Sequence, residues 1–503
     1  MNLFDYIPFN ANQWFVVLYF FCSLTLLLGL AEVISRVFKL EKEFSRKFIH
    51  IIVGLLVVLF SLNIVEPQPI IFLSLTFTIL NFLIQKFKLL PAMESDRLTY
   101  GTTLYPFSIA LAAIFLWEDY KLIFIIVVLI IALADAAAAI VGQASSNPVK
   151  YIIWRDEKSL QGNAAMFVSS YVIITVSYFL FPDMINFTPN HSIFIIAFVA
   201  SFVISISESI SSKGSDNFSV MIFATLVMYV FFHGESEVQQ QFIEATIFAI
   251  LFSGLTFKFK LLTLDGSISA ALVAILIYGF GSWEFTIPLL LFFFSSSILS
   301  KTGKNLKHQF KLVFEKSSKR DGKQVFANGG IAVIWATSYF FYPSELIYYF
   351  YIVSVAAANA DTWATELGVF SKSKPRLITT FLPVEKGRSG GISLTGSFAS
   401  LMGSFVVSLT GLWMTVDLFT NLNLLLFLTL AGFFASFVDS FLGATLQAQY
   451  MNTKTNQITE KALNIQNEKN KLISGYAWLD NDLVNFLSIL TAPLFYFLFS
   501  LVI

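Results

Sequence analysis

The sequence predicts an all-α polytopic membrane protein with about sixteen transmembrane helices, arranged as two parallel homologous eight-helix halves. Hydrophobic residues make up 56% of the 503 residues and charged residues only 13%, and the mean hydropathy is +0.74. This apolar fraction is higher than a soluble globular protein needs to form its core. Long apolar runs recur along the whole chain, and one set of polar motifs occurs twice in the same order.

The apolar runs that are long enough to cross a bilayer define the predicted helices. They lie at roughly residues 13–35, 47–63, 68–85, 101–117, 121–142, 164–181, 192–210, 219–233, 242–256, 266–280, 283–301, 326–342, 346–370, 390–414, 422–445 and 483–502. Lys and Arg, apart from Lys121, concentrate in every second connection, namely 36–47, 86–100, 143–163, 211–218, 257–265, 302–325, 371–389 and 446–482. By the positive-inside rule we expect cytoplasmic polar loops, both termini outside, and a bacterial inner-membrane location.

Several functions and kinds of site can be excluded from the charge, the cysteine content and the first residues of the sequence. The formal net charge is zero, which gives no reason to expect nucleic-acid binding. The single cysteine, Cys22, excludes an intramolecular disulfide and a multi-thiolate metal site. The start MNLFDYIPFN has an acid and no basic residue, so no cleavable signal peptide is predicted. The sequence has no Walker loop, dinucleotide fingerprint or histidine cluster.

Two predicted domains, 1–237 and 238–503, carry matching motifs. An acid ends an apolar run in each half, Asp135 in ALADAAAAIVG and Asp361 in ANADTWATELG. A loop with lysine and glycine follows at a similar spacing, EKSLQGN in the first half and EKGRSGGIS in the second, and then a second acid, Glu208 or Asp439. An Asp-Asn pair ends each set. Because an acid inside a membrane-length apolar run is costly, these positions are candidate functional residues.

The repeated residues suit a metal ion and phosphate groups. Mg²⁺ takes carboxylate oxygens and completes its shell with water and phosphate, and the predicted metal ligands are Asp135, Glu208, Asp361, Glu366 and Asp439. Cations and glycine-flanked backbone N–H groups suit phosphate. The predicted catalytic residues are Asp135, Lys158, Asp361, Lys386 and Arg388. The predicted nucleotide-binding residues are Arg97, Tyr100, Gly101, Ser159, Gly162, Asn163, Asn217, Asn328, Asn359, Thr362, Ser389, Gly390, Gly391, Ser393, Asn481 and Asn485. The pattern indicates phosphoryl transfer to a lipophilic acceptor.

These residues also have structural interpretations. Asp135 or Asp361 could bond a neighbouring helix, and the alanines beside them suit close helix packing. The lysines could be ordinary positive-inside charges, and Arg46, Lys47 and His50 in SRKFIH could anchor lipid head groups. The polar loop 446–482 could form a partly helical lid.

Residues 30–235 resemble the CTP-dependent polyprenol kinase family of phytol, farnesol and dolichol kinases. The segments that carry this resemblance are SRKFIHIIVG, YGT, ADAAAAIVG, EKSLQGN and GSDN. Residues 240–503 resemble the phytyl-phosphate kinase family, long described only as an uncharacterised integral membrane domain. The second resemblance is the more specific because its segments are longer: KLLTLDGSISA, QVFANGG, NADTWATELG, KGRSGGISLTG and DSFLGATLQ. The first half departs from its family in the run of four alanines after Asp135.

The resemblance implies a bifunctional isoprenoid kinase. One half would phosphorylate a prenyl alcohol and the other would convert the monophosphate to the diphosphate, with Mg²⁺ as cofactor and CTP as phosphoryl donor. The implied partners are an isoprenoid alcohol or prenyl phosphate, a nucleoside triphosphate and membrane lipids. Two alternatives stay open: a cytidylyltransferase resembling CDP-diacylglycerol synthase, and a secondary transporter with two parallel repeats.

Overall fold

The computed structural model describes residues 11–38, 42–87, 100–154, 156–185, 190–302, 319–415, 421–452, 458–464 and 468–501. Of these residues, 76% are helical, and ten helices are long and apolar enough to cross a membrane. The predicted helical membrane class is therefore confirmed, whereas the number sixteen stays a prediction. The chain divides into two compact units, Met1–Gln240 and Gln241–Ile503, here called unit 1 and unit 2.

Unit 1 is built around one buried helix. Its elements are α1 (Ala11–Phe38), α2 (Lys42–Asn63), α3 (Gln68–Phe87), α4 (Gly101–Leu116), α5 (Lys121–Leu129), a π-helical turn (Ile130–Ala134), α6 (Asp135–Ala144), β1 (Lys150–Ile153), β2 (Asp156–Ser159), α7 (Leu160–Leu180), a 3-10 turn (Pro182–Met184), α8 (Ile193–Ser209) and α9 (Asp216–His233). The continuous α5–π–α6 helix is apolar on every side, so it packs in the centre against α2, α4, α7 and α9. Its π turn ends directly before Asp135; single π turns often mark functional positions.

Unit 2 also surrounds a buried helix. Helix α10 (Ser236–Lys258) leads into it, and the following elements are α11 (Leu264–Lys301), α12 (Gly322–Phe341), α13 (Glu345–Gly368), β3 (Arg376–Leu377), β4 (Gly391–Ile392), α14 (Leu394–Trp413), α15 (Leu422–Thr445), β5 (Gln449–Met451), β6 (Ile458–Thr459), β7 (Lys471–Ser474) and α16 (Asn481–Ser500). Helix α13 packs against α11, α12, α14, α15 and α16, and all its residues from 351 to 358 are buried. Helix α11 is interrupted at Ser282, whose φ is 56° and ψ −156°, so the predicted runs 266–280 and 283–301 are two arms of one broken helix.

The polar loop 446–482 differs from its prediction. In its described part it forms a three-stranded antiparallel sheet with the order β6-β5-β7, and no described residue from 446 to 480 is helical. Gly475 turns the chain with φ 75°, a conformation that glycine adopts without strain. The expectation of a partly helical segment was therefore wrong for these residues, because the strands are stabilised by pairing across the loop and not by local helix propensity.

Candidate functional site

The two predicted metal ligands of unit 1 are held by lysines. Lys47 of α2 forms an ion pair with Asp135 at the start of α6, and the exposed fractions of the two side chains are 9% and 7%. Lys158 of β2 pairs in the same way with Glu208 of α8, with side-chain exposures of 16% and 8%. A buried carboxylate needs such a partner. Lys47 was predicted only as a possible head-group anchor, and its pairing to Asp135 is therefore a correction.

The two ion pairs belong to one cluster of alternating charges. Burial acts to lower the pKa of Lys158, but the carboxylates of Glu208, Asp216 and Asp135 outweigh it, so the pKa lies above the ordinary lysine value. An opposite charge within a few ångströms favours the charged form. Lys158 is thus a fixed cation at neutral pH, next to every acid that the first half contributes to the predicted site.

Helix α2 brings a further polar side chain to this cluster. The ring of His50 stacks on that of Tyr105, with 4.4 Å between centroids and 16° between planes, and the Tyr105 hydroxyl donates to the His50 carbonyl at 2.8 Å. The Nδ1 atom of His50 is buried and has no hydrogen-bond partner within the described residues. Lys47 and His50 therefore lie one turn apart on α2, and both side chains are buried at this cluster.

The predicted nucleotide-binding residues of unit 1 mostly bond the protein itself. The Asn217 amide donates to the Gly101 carbonyl at 3.3 Å, and the Asn163 amide donates to the Tyr151 hydroxyl at 2.8 Å. Tyr100 is half exposed at the surface, at 53%. Arg97 lies outside the described residues. These contacts fix the ends of α4, α7 and α9 around the charge cluster.

One local arrangement occurs in both units. Ser159 accepts a hydrogen bond from Gly162 N at 3.1 Å and caps α7, while Gly162 packs on Gly142, whose added Cβ would lie 3.6 Å from the Gly162 Cα. In unit 2, Ser393 accepts from Gly396 N at 3.1 Å and caps α14, and an added Cβ on Gly368 would lie 3.6 Å from the Gly396 Cα. The glycines let the acid-bearing helix and the next helix approach closely.

This arrangement corrects the predicted correspondence between Lys158 and Lys386. Lys158 directly precedes the capping serine of unit 1, whereas Ile392 holds that place in unit 2. Lys386 instead donates to the carbonyls of Val369 at 3.2 Å and Ser371 at 2.6 Å, just beyond the end of α13. The connecting segment is longer in unit 2 than in unit 1. A lysine at a similar distance in sequence from its acid therefore occupies a different place in the fold.

The acids of unit 2 are arranged differently from those of unit 1. Asp361 of α13 and Asp439 of α15 lie within hydrogen-bonding reach of each other. Ser488 donates to Asp439 Oδ1 at 3.4 Å, and Asn485 lies 3.1 Å from the same oxygen with its amide oriented to donate. The same amide reaches the carbonyl of Asn481 at 3.0 Å. Unit 2 therefore brings together two acids, the Asn485 amide and the Asn481 backbone carbonyl, all at positions that the sequence had singled out.

The glycine loop of unit 2 lies on the helix that carries Asp439. Gly390 has φ 78°, and an added Cβ there would lie 2.5 Å from the Cβ of Ala444 and 2.7 Å from the carbonyl oxygen of Ser440. Only glycine fits this approach. Ser389 donates to Glu460, which the three-stranded sheet supplies. Sequence reasoning missed Glu460 because it lies in a polar loop with other charges.

The remaining predicted residues of the glycine loop form its turn. Arg388 is exposed, and its carbonyl accepts from Gly391 N at 3.1 Å. The loop therefore presents an exposed guanidinium next to Ser389.

The other face of α13 packs against a row of serines. Asn359 is fully buried, donates to Gly403 O at 2.8 Å and accepts from Ser295 at 3.2 Å. Ser300 donates to Glu366 at 2.7 Å. This placement argues against nucleotide contact at Asn359 and separates Glu366 from the face that carries Asp361.

Two other predicted nucleotide-binding side chains bond their own helices. Thr362 donates to the Ala358 carbonyl at 2.9 Å, and Asn328 donates to the Gln324 carbonyl at 3.0 Å. Both bonds span one helical turn. These contacts do not orient either side chain towards the carboxyl groups of Asp361 and Asp439.

The donor sets of the two units differ in their fit to a divalent cation. Within the described ranges, no group of three acidic, histidine or cysteine side chains is arranged to hold a metal. In unit 1, ammonium groups already neutralise Asp135 and Glu208. In unit 2, the adjacent carboxyls of Asp361 and Asp439 repel each other when both are charged. A hard cation with water and phosphate as further ligands fits this pair.

Comparison with known proteins identifies relatives of the second half. Residues 247–493 match the family described as integral membrane protein DUF92. Protein PGR of Arabidopsis thaliana is 35% identical over 272 residues, which cover 48% of this chain and 92% of that protein. An uncharacterized membrane protein of Methanocaldococcus jannaschii is 35% identical over 191 residues, 38% of this chain and 76% of the relative. One from Synechocystis sp. is 27% identical over 194 residues, with shares of 38% and 74%. No solved structure matches the chain.

Proposed function

The chain belongs to the integral membrane protein family DUF92, and we propose that it is a bifunctional isoprenoid kinase. Unit 1 phosphorylates a prenyl alcohol to the monophosphate, and unit 2 phosphorylates the monophosphate to the diphosphate. The phosphoryl donor is a nucleoside triphosphate, CTP by resemblance. Both sites face the cytoplasm, both termini lie outside, and the membrane is the bacterial inner membrane.

One observation carries the proposal for unit 2. Two carboxyls, Asp361 and Asp439, meet inside a helical membrane domain, beside a glycine turn whose residue Ser389 bonds Glu460. Placing two acids together in an apolar setting costs free energy, so a purely structural role is a poor explanation. A Mg²⁺ ion that binds with the nucleotide would supply the missing positive charge, and the turn would supply backbone N–H groups for the phosphates.

The reaction in unit 2 needs little chemistry from the protein. An oxygen of the acceptor phosphate bonds to the terminal phosphorus of the nucleotide, the bridging P–O bond breaks, and a nucleoside diphosphate leaves. The attacking oxygen is already ionised near neutral pH, so no general base is required. Mg²⁺ held by Asp361 and Asp439 would neutralise the charge on the transferred group. Asn485 and Ser488 hold Asp439 in position through the bonds described above.

Unit 1 supports its step with fixed cations. Lys47 and Lys158 form ion pairs with Asp135 and Glu208. Either ammonium group can turn from a carboxylate to a phosphate oxygen and stabilise the charge of the transferred group. The acceptor here is a neutral hydroxyl, so unit 1 does not have to bring two anions together.

Product analysis tests the proposal directly. Purified full-length protein in lipid nanodiscs is incubated with geranylgeraniol, Mg²⁺ and γ-labelled CTP, and ATP is used in a parallel reaction. We expect prenyl monophosphate followed by diphosphate. The second step is measured separately by supplying geranylgeranyl monophosphate in place of the alcohol. Asp361→Asn should block only the second step and Asp135→Asn only the first, while the exposed Asp183→Asn serves as control.

Three outcomes would contradict the proposal. If no prenyl phosphate forms with either CTP or ATP, the protein is not an isoprenoid kinase. Release of pyrophosphate instead of nucleoside diphosphate would identify a cytidylyltransferase. Loss of both steps from either single substitution would exclude two separate sites.

A further inference from the structure

Arg320 is held rigidly at the start of α12. Its carbonyl accepts from the Thr263 backbone N–H at 3.1 Å and from the Thr263 hydroxyl at 3.2 Å. Two residues later, Gly322 N donates to Asp265 Oδ2 at 2.8 Å. Gly266 has no room for a side chain, because an added Cβ would collide with the Arg320 carbonyl. The starts of α11 and α12 are thus locked together, and the base of the Arg320 side chain has a fixed position.

The guanidinium of Arg320 is partly buried and has one aromatic and one acidic neighbour. Its central carbon is 5.3 Å from the centroid of the Phe292 ring on α11. Glu366 of α13 lies near enough to favour the charged form, although burial lowers the pKa of Arg320 to about 10. Arg320 is therefore charged at neutral pH. Among the described residues no hydrogen bond or ion pair to its guanidinium occurs, and Glu366 instead accepts from Ser300.

Within the described residues, this guanidinium lacks its usual partners. It carries five N–H donors in a fixed planar fork, and none of its nitrogens is among the buried atoms without a partner, so the donors remain accessible to a ligand. The fork matches two oxygens of a phosphate group. A ligand that brings such oxygens would supply the missing acceptors, so this position fits an oxyanion.

The surroundings of Arg320 indicate which oxyanion. Phe292 itself is buried, but Phe294 in the same apolar stretch of α11, FTIPLLLFFF, is exposed and offers an aliphatic chain a compatible surface. Glu366 follows Asp361 on α13 by five residues, about 7.5 Å along the helix axis at 1.5 Å per residue. Their faces differ, so a phosphate at Arg320 would lie beside the carboxyl pair and not on it. The negative charge of Glu366 also disfavours a triphosphate more than a monophosphate.

We propose that Arg320 binds the phosphate head of the lipid monophosphate that unit 2 accepts. This rests on the proposed function, and it adds the residue that makes unit 2 selective for a phosphorylated acceptor over an alcohol. Arg320 positions the acceptor, while Asp361 and Asp439 face the donor.

Binding without turnover tests the proposal. Full-length protein in nanodiscs, without nucleotide or Mg²⁺, is titrated with geranylgeranyl monophosphate, and binding is followed by microscale thermophoresis. Geranylgeraniol has the same chain without the charge, and inorganic phosphate has the charge without the chain. Arg320→Gln should weaken monophosphate binding by about tenfold or more, since hydrogen bonds to charged groups are strong, and leave alcohol binding unchanged. Arg320→Lys should fall between, because lysine keeps the charge but loses the fork.

The matched control is Arg376→Gln. Arg376 is an exposed arginine of the same unit whose guanidinium donates to the Phe381 carbonyl at 3.0 Å, and its loss should leave all three ligands unaffected. Thermal unfolding of each variant checks folding; if Arg320→Gln does not fold, the Arg320→Lys titration decides.

Two results would overturn the proposal. An equal loss of alcohol and monophosphate binding would make Arg320 a structural residue. If Arg320→Gln loses CTP binding in a separate titration with Mg²⁺ present and keeps monophosphate binding, Arg320 is a nucleotide ligand. The failure of this site and the failure of the kinase function can be told apart. Monophosphate binding through Arg320 without any phosphoryl transfer would support this site and contradict the kinase function. Phosphoryl transfer with an unchanged KM for monophosphate in Arg320→Gln would support the kinase function and contradict this site.

Discussion

Removing one charge of the Lys47–Asp135 pair should destabilise the protein far more than removing both. The two side chains are only 9% and 7% exposed, so Lys47→Met leaves a carboxylate with little access to water. Breaking a buried ion pair from one side costs about 3–5 kcal/mol, whereas replacing both charges by apolar residues is often neutral or stabilising. We therefore expect Lys47→Met and Asp135→Leu each to lower the free energy of unfolding, and the double variant to recover most of the loss.

The assay is a double-mutant cycle on the full chain in mixed micelles, with helix content followed by circular dichroism as denaturing detergent is added. The Lys150–Glu157 pair is the control, because its side chains are 54% and 51% exposed and an exposed pair contributes about 0–1 kcal/mol. A coupling free energy for Lys47 and Asp135 below about 0.5 kcal/mol, the level of independent sites, would refute the buried pairing.

Three further predictions concern the metal, the backbone and pH. Asp439→Asn should abolish Mn²⁺ binding measured by electron paramagnetic resonance, while Asp135→Asn leaves the number of bound ions unchanged; the reverse pattern would move the metal to unit 1. Gly214→Ala should lower the free energy of unfolding by about 1–3 kcal/mol, because φ there is 81° and a left-handed non-glycine residue is strained; an unchanged midpoint in the same detergent titration would contradict this geometry. Because the pKa of Lys158 is raised, the stabilisation from its pair with Glu208 is fully present below the unfolded lysine pKa of about 10.4 and is lost only as pH rises through the higher folded value. Lys158→Met should therefore lower the free energy of unfolding by the same amount at pH 7 and pH 9; a larger loss at pH 9 than at pH 7 would show that the folded-state pKa is lowered and not raised.

The sequence predicted the helices well because a membrane leaves few choices. Backbone groups in an apolar run must bond within the segment, so length and hydropathy locate helices such as α13 and α15. The meeting of Asp361 and Asp439 could also be anticipated, since both interrupt such runs near a polar loop.

The partners of the charged side chains could not be read from the sequence. Lys47 and Asp135 lie on different helices, and nothing in the local pattern of SRKFIH distinguishes an interior lysine from a surface anchor. Similarly, Asn359 and Asp361 are two residues apart on α13 and face different neighbours. A helix turns by about 100° per residue, so the meaning of each polar residue depends on how the helix is rotated in the bundle.

The glycine contacts of Gly142 with Gly162 and Gly368 with Gly396 have a consequence for how this protein tolerates change. In each unit the glycine contact holds together the two ends of a connecting segment, 143–158 in unit 1 and 369–392 in unit 2. These two paired glycines are called the stem of the segment. Lengthening a closed loop costs little, about 0.6 kcal/mol for a doubling. The two segments are therefore free to vary in length, provided that the residues they contribute to the sites, such as Lys158 and Gly390, and the acid at the stem keep their places.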